Sequence, residues 1–396
     1  MMLTARERVI WLGGFVFVSV LIAATGFTSR DADSIRYATL SARLSELPVS
    51  RWVAPEWWGL TTTDHTGYFL EHPAGLFFIP AALGRLGVPA EQAPYLFGVA
   101  SGLAALLLTG RVVTRLSSPE DGRAALTLLQ FMPMAFVFRI RDNHEYPLLV
   151  CLLLVVLGLE EAGKPGSKGA GKQGLAFLLV IAGLVAGLLI KGVFVAVVLV
   201  AAGAWILTNP GGGSRTRQIG LCAAGLVVMA LAAVVYDAWY VRETGGPFWS
   251  AYLGRQLGPM HIASPLGQAG AFAEHVAFYV VRAAYHPAPW SLILVWAAMR
   301  RRLPAAHDER EGRGFWFVLL FVATSMLLLS LSSRVAERYT FSANFLIGAA
   351  GAVVAYRYLP ALKHWLKQVD ARVPALPAVV WTALIVLRLA AGAVTR

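Results

Sequence analysis

The chain has 396 residues, of which 57% are hydrophobic and only 14% are charged, whereas soluble domains carry roughly 25% charged residues. These proportions exclude a water-soluble globule, a disordered chain, a coiled coil and collagen. The formal charge of +12 does not indicate nucleic-acid binding, because the basic residues are scattered between apolar segments. Cys151 and Cys222 lie in apolar runs, so no disulfide framework is expected. The sequence predicts an all-α, polytopic integral membrane protein.

Apolar stretches of about 20 residues recur along the chain, and each can cross roughly 30 Å of hydrocarbon as a helix. The first follows Arg6 and Arg8 without a convincing cleavage site, so we expect it to be retained. The segment 75–87 fits either a partial span or an interfacial helix. About eleven spans are predicted, over residues 9–27, 92–110, 124–139, 146–160, 174–190, 192–207, 219–240, 286–299, 314–332, 341–356 and 375–393.

The loops on the two sides of the membrane differ in charge. Every second loop along the chain is a compact connector, and together with the N-terminal segment these loops hold nineteen of the 34 lysines and arginines. The positive-inside rule predicts that this side, with the N-terminus, lies in the cytoplasm. The opposite loops hold 13 of the 22 acidic residues, together with His, Trp and Tyr. We therefore expect one transmembrane domain over 1–396, in a bacterial inner or other plasma membrane. Its chemistry is expected outside, in long loops 28–91 and 241–285 with interfacial helices.

The first outer loop contains a predicted helix over 33–46. Ile35, Leu40 and Leu44 are expected to form a narrow apolar face that lies on the membrane. Asp33 stands near its N-terminus, where a carboxylate is favoured as a helix cap. A cap and a functional acid are both open interpretations of Asp33.

Ionisable residues also crowd two further outer positions. Glu71 and His72 directly precede an apolar segment. Surface ion pairs contribute only about 0–1 kcal/mol, but such groups at a membrane border can also build a polar cavity. A tight turn between two predicted spans holds Arg139, Arg141, Asp142, His144 and Glu145.

Lys191 lies between two apolar runs, with Gly192 as the only obvious break. An ammonium group there must snorkel to the interface, pair with an acid or hold an anion. Arg334 and Arg338, followed by Tyr339, stand at the same predicted level. Several converging cations suit a phosphate group.

The second long outer loop holds Arg255 and His261 before a predicted interfacial helix over 270–284. A histidine on a loop is most often simply solvated. The sequence carries none of the short motifs of serine hydrolases, zinc proteases or P-loop nucleotidases.

In their order along the chain, the outer motifs resemble those of the C-type (GT-C) glycosyltransferases, in the group of protein O-mannosyltransferases and aminoarabinose (lipid A) transferases. Ser34 stands where that family has Glu, and Ala74 where it has a second proline. Asp31 is an alternative to Asp33 as the principal acid of the first-loop motif. The matching segments are Asp33-Ser34-Ile35-Arg36-Tyr37-Ala38, Glu71-His72-Pro73-Ala74, Leu86-Gly87, Arg139 through Glu145, Leu189-Ile190-Lys191-Gly192, Arg255 and His261 through Pro289-Trp290, and Arg338-Tyr339.

The resemblance implies an inverting membrane enzyme that moves a sugar from a polyprenyl-phosphate donor to an acceptor on the extracytoplasmic face. The acceptor is a lipid, a glycan or a protein; membrane lipids are partners and nucleic acid is not. Catalysis needs a base for the acceptor hydroxyl and positive charge for the leaving phosphate. Asp33 is the expected base, with Glu145 or Asp142 in support. The expected phosphate contacts are Lys191, Arg338, Arg139, Arg255 and Tyr339; the expected pocket residues are Arg36, Tyr37, His72 and His144. Glu71 and His261 match positions near a divalent metal, for which zinc, magnesium or manganese is expected.

Two other classes stay open. A transporter or lipid-linked-sugar flippase would also be polytopic and basic, but such proteins place polar groups at the bilayer midplane in repeated halves. A scaffold subunit without activity is the third possibility, kept open by Ser34. One outward pocket holding Asp33, Glu71, Lys191 and Arg338 would favour the transferase.

Overall fold

The computed structural model describes residues 4–26, 32–57, 67–139, 141, 143–164, 169–208, 215–256, 265–303, 311–332, 335–368 and 375–394. Within these ranges there is no β-strand, only an isolated bridge between Glu56 and Tyr68. The helices are α1 (Ala5–Ala24), α2 (Ala32–Glu46), α3 (Gly75–Arg85), α4 (Ala93–Leu116), α5 (Pro119–Leu128), α6 (Pro133–Arg139), α7 (Glu145–Gly163), α8 (Ala170–Lys191), α9 (Ala196–Thr208), α10 (Arg215–Thr244), α11 (Phe248–Gln256), α12 (Pro265–Tyr285), α13 (Trp290–Met299), α14 (Glu311–Ser330), α15 (Phe341–Tyr358), α16 (Pro360–Gln368) and α17 (Leu376–Val394).

The polytopic membrane architecture is confirmed. Among the described residues, seven helical segments are long and apolar enough to cross a membrane, and the longest, Ala170–Thr208, contains both α8 and α9. All eleven predicted spans fall on helices. The two counts differ partly because 286–299 contains only the ten-residue helix α13 and because α8 and α9 are consecutive.

The predicted span 124–139 is two short helices, α5 and α6, rather than one. Pro133 opens α6. Because a proline disfavours helical backbone in the residue before it, Met132 is extended, with φ −76° and ψ 115°. The chain therefore turns at Met132 instead of continuing as one helix.

Helices α7 and α8 pack closely in the centre of the bundle. A Cβ on Gly158 of α7 would lie 2.7 Å from the carbonyl oxygen of Ala176 in α8. A Cβ on Gly183 of α8 would lie 2.5 Å from the carbonyl oxygen of Cys151 in α7. Small residues let the two backbones approach, which brings the end of α8 beside the start of α7.

The predicted first-loop helix is confirmed as α2, but its buried face differs from the predicted one. Leu40 and Leu44 are fully buried, whereas Ile35 is 53% exposed. At about 100° per residue, Ile35 lies roughly 140° around the helix from Leu40. Tyr37 takes its place, at 6% exposure, so α2 presents an aromatic ring to the core.

The predicted segment 75–87 forms α3, whose 11 residues span only about 16 Å, too little to cross the bilayer. The start of α3 lies against the end of α8, because a Cβ on Gly75 would be 2.7 Å from the carbonyl oxygen of Leu189. The loop that carries Glu71 and His72 is thereby held beside Lys191.

Candidate active site

A cavity of about 310 Å³ lies where α7 and α15 begin and α8 and α14 end. Its volume is in the range of small-molecule sites. Six of the predicted site residues line it, although they come from four separate parts of the sequence: Glu71, His144, Glu145, Lys191, Arg338 and Tyr339.

Lys191 ends α8, and its ammonium lies in the cavity wall. Gly192, which follows it, has φ +67°, a conformation that other residues rarely adopt. The Tyr252 hydroxyl donates a hydrogen bond of 3.0 Å to the Lys191 carbonyl. Lys191 Nζ is 2.5 Å from His144 Nε2 and 5.0 Å from the centre of the Tyr339 ring. The backbone break predicted at Gly192 thus positions a cation at the cavity.

Asp33 and Arg338 form an ion pair beside this cavity. Asp33 lies in the first turn of α2, and Arg338 lies in the 3₁₀ turn Glu337–Thr340 that precedes α15. Their side chains are 33% and 27% exposed, so a ligand can reach them. Arg338 Nε is buried and has no hydrogen-bond partner among the described residues.

His72 and Tyr37 do not line the cavity but lie buried behind it. His72 Nδ1 donates to the Pro73 carbonyl at 3.0 Å, and the Tyr37 hydroxyl donates to His72 Nε2 at 3.2 Å. Burial, with the nearby Lys191 charge, lowers the pKa of His72 to about 3. His72 is therefore neutral, and its hydrogen bonds join the Glu71–Pro73 loop to α2 next to the cavity.

The remaining predicted pocket and phosphate residues are placed as follows. Arg36 is partly buried on α2 and does not line the cavity. Arg139 points to α1, where it donates to the Phe15 carbonyl and the Ser19 hydroxyl and stacks on the Phe15 ring. The structure does not bring Arg139 to the cavity. Arg255 lies on α11, and Asp142 and His261 lie outside the described residues.

Glu71 is one of the two residues expected near a metal ion. The described residues contain no group of three or more His, Cys, Asp or Glu side chains near enough to share an ion. Glu71 lines the cavity, and its backbone carbonyl accepts a 2.7 Å hydrogen bond from Gln256 Nε2. His261, the predicted second ligand, falls outside the described part of the chain. No chemical step below depends on a metal.

Four polar cavity residues were not among the sequence-predicted site residues: Tyr252, Gln256, Ser332 and Ser342. The Ser332 hydroxyl donates to the Gln256 carbonyl at 3.0 Å, so these two residues close one wall between α11 and the end of α14. Tyr252 and Gln256 are four residues apart on one helix and therefore share a face, so their spacing could have indicated a common polar surface. The sequence around Ser332 carries no such indication.

The rest of the wall is apolar and extends along two membrane helices. Val193, Val197 and Val200 contribute from the start of α9 and the turn before it, Leu328 from the end of α14, and Leu331 from the turn after it. Val200 is 52% exposed and Leu331 58% exposed. The cavity therefore continues into a surface groove, the α9–α14 groove, that faces the membrane.

Residues 71–237 match the family described as dolichyl-phosphate-mannose-protein mannosyltransferase. This match covers the loop with Glu71 and His72, the start of α7 and the Lys191 break. No curated protein sequence matches the chain.

Two solved membrane proteins share the fold. ArnT from Cupriavidus metallidurans bound to undecaprenyl phosphate is 17% identical, with a TM-score of 0.68, over 91% of this chain and 62% of that one. The archaeal oligosaccharyltransferase AglB from Archaeoglobus fulgidus, in complex with an inhibitory peptide and a dolichol-phosphate, is 12% identical, with a TM-score of 0.57. That match covers 96% of this chain and 56% of AglB. The chain thus spans about three fifths of the length of these structures, and its fold is the GT-C fold predicted from the motifs.

Proposed function

We propose that this protein is a membrane glycosyltransferase that moves a sugar from a polyprenyl-phosphate donor to an acceptor, with inversion at the anomeric carbon. One observation carries the proposal. Lys191 and Arg338, two cations suited to a phosphate, line one cavity, and Asp33 is paired with one of them. A phosphate in this cavity would therefore lie near a carboxylate that can act as a base.

The chemistry follows from these positions. The acceptor hydroxyl gives its proton to Asp33 as its oxygen attacks the anomeric carbon. The bond from that carbon to the phosphate oxygen breaks, and polyprenyl phosphate leaves with the bonding electrons. Lys191 and Arg338 stabilise the charge that grows on the leaving phosphate. Glu145 lies beside His144, which contacts Lys191, and its carboxylate balances the Lys191 charge.

The α9–α14 groove accounts for the lipid part of the donor. Val193, Val197 and Val200 follow Lys191 along the chain, and at 1.5 Å per residue the helical part of this stripe leads several ångströms away from the ammonium. Leu328 and Leu331 form the facing wall. A polyprenyl chain can leave the cavity along this groove into the surrounding membrane.

The site is proposed to face away from the cytoplasm. Helices α7 and α15 begin at the cavity, and their other ends adjoin Lys164 and Arg357. Because the basic connectors mark the cytoplasmic side, the cavity end of these helices is extracytoplasmic. The N-terminus, with Arg6 and Arg8, belongs to the basic side in this proposal and is therefore proposed to lie in the cytoplasm.

Glu71, Lys191 and Arg338 line one cavity, and Asp33 contacts one of its walls. This convergence supports a transferase over a transporter, which would place its polar groups near the bilayer midplane. A flippase remains the second candidate, because it would also bind a lipid-linked sugar.

Purified protein reconstituted with membrane extract as acceptor and a panel of polyprenyl-phosphate sugars tests the proposal. We expect release of polyprenyl phosphate from at least one donor, and loss of that release in Arg338→Gln. Release from no donor would contradict the proposal. Movement of a lipid-linked sugar across vesicle membranes without release would favour the flippase.

A further inference from the structure

His144 makes both of its close polar contacts through one ring nitrogen. Its Nε2 atom lies 2.5 Å from Lys191 Nζ and 3.2 Å from Glu145 Oε1. Its Nδ1 atom has no hydrogen-bond partner within the described ranges. The ring is only 2% exposed and packs 5.3 Å from His72 and 6.2 Å from Tyr37, between ring centres.

The chemistry of lysine fixes the direction of the short contact. An ammonium group only donates hydrogen bonds, so Nε2 of His144 accepts one from Lys191 and carries no proton. Burial lowers the pKa of His144 well below its ordinary value, and the Lys191 charge and His72 act in the same direction. His144 is therefore a neutral acceptor at physiological pH.

Lys191 needs such an acceptor if it is to be held in one place. Its backbone is fixed by the break at Gly192 and by the Tyr252 hydroxyl, but its side chain is a flexible four-carbon stem. Lys191 donates one of its three N–H bonds to His144. The Tyr339 ring, 5.0 Å away, adds a cation–π contact.

We propose that His144 is a positioning residue, whose neutral Nε2 atom holds the Lys191 ammonium at the cavity wall for the phosphate of a lipid-linked donor. The identity of that anion rests on the proposed function. His144 acts through Lys191 and exchanges no proton with the substrate. The role requires an acceptor atom at the position of Nε2 and nothing at Nδ1.

The test compares three substitutions in the full-length protein in lipid nanodiscs, with undecaprenyl phosphate as the binding probe. His144→Phe keeps the ring packing and removes the acceptor, so we expect about tenfold weaker binding, as for loss of a hydrogen bond to a charged group. His144→Gln places an amide oxygen near the Nε2 position, so we expect binding within about threefold of wild type. His144→Asn places its amide near Nδ1 and should bind as weakly as His144→Phe. His364→Phe, at an exposed position of α16, is the control and should bind like wild type.

Several results would overturn the positioning role. Unchanged binding by His144→Phe would do so, and so would equal weakening in His144→Gln and His144→Phe. If the protein transfers sugar, His144→Phe should raise the donor KM about tenfold and leave kcat within about twofold; a loss confined to kcat would also overturn the role. The predicted binding pattern without transfer to any acceptor would contradict the proposed function and leave the role of His144 standing. If His144→Phe fails to fold, the contrast between His144→Gln and His144→Asn still decides.

Discussion

The carboxylate of Asp33 and the guanidinium of Arg338 are paired beside the cavity, although the two residues come from opposite ends of the chain. The pair joins α2 to the turn before α15. A donor phosphate is a second anion for the same guanidinium. Its binding is expected to draw Arg338 away from Asp33 and free the carboxylate to accept a proton.

Replacing Lys191 by Gln is expected to weaken binding of undecaprenyl phosphate by about 10- to 100-fold, because a hydrogen-bonded charge contributes about 1.5–3 kcal/mol. Titration in nanodiscs measures the effect. Lys172→Gln, an exposed lysine at the start of α8, serves as control. Unchanged binding in Lys191→Gln would mean that Lys191 only snorkels to the interface.

Filling the α9–α14 groove should discriminate donors by chain length. Val200→Trp adds bulk at a cavity residue that is 52% exposed. We expect about tenfold weaker binding of undecaprenyl phosphate and little change for methyl phosphate, which has no chain to meet the obstruction. Val234→Trp, on the exposed face of α10 (65% exposed), is the control. Equal effects on both phosphates would place the lipid elsewhere.

The glycine after Lys191 should tolerate no side chain. Gly192 has φ +67°, and a Cβ there would collide with the Tyr252 hydroxyl. Gly192→Ala is therefore expected to destabilise the fold by about 1–3 kcal/mol, seen as a lower Tm in detergent. Gly203→Ala in α9, where a Cβ meets nothing within 4 Å, should leave Tm unchanged or raise it. A normal Tm for Gly192→Ala would contradict the tight packing of this break.

Buried neutral His72 should make stability depend on pH. Its folded pKa is about 3 against an ordinary 6.5, so below pH 6.5 the unfolded chain binds a proton that the folded chain does not. The contribution of His72 to stability should fall by about 1.4 kcal/mol for each pH unit well below 6.5, until the pH reaches the folded value. The ionisable groups that face His72 are Tyr37, His144 and Lys191.

Thermal unfolding between about pH 7 and pH 5.5 measures this dependence. The fall in Tm should be smaller in His72→Gln than in wild type, whereas His364→Gln, at an exposed position, should follow wild type. An equal fall in all three proteins would mean that His72 is protonated in the folded state.

The sequence was informative wherever the signal was local. The apolar runs predict the helices, and an isolated lysine before Gly192 predicts a polar break, because both depend on neighbouring residues and on the cost of burying charge. The order of the motifs predicts the GT-C fold, which the solved relatives share.

Contacts between distant segments could not be derived in this way. Arg139 and Arg338 are both predicted phosphate contacts, but Arg139 turns to α1, where it donates to Ser19. Tyr37 and His72 are motif residues of the predicted pocket, but their mutual hydrogen bond holds them behind the cavity. Which polar side chains face the ligand depends on how helices far apart in sequence pack.

The central claim is that Asp33 is the base for a lipid-phosphate donor held by Lys191 and Arg338. It is tested most directly by Asp33→Asn, with undecaprenyl phosphate binding and sugar transfer measured on the same sample, and with Glu274→Gln, an exposed residue of α12, as control. We predict binding equal to or tighter than wild type, because Arg338 loses its competing anion, together with a loss of transfer of at least about 100-fold. Transfer within about tenfold of wild type would contradict the claim.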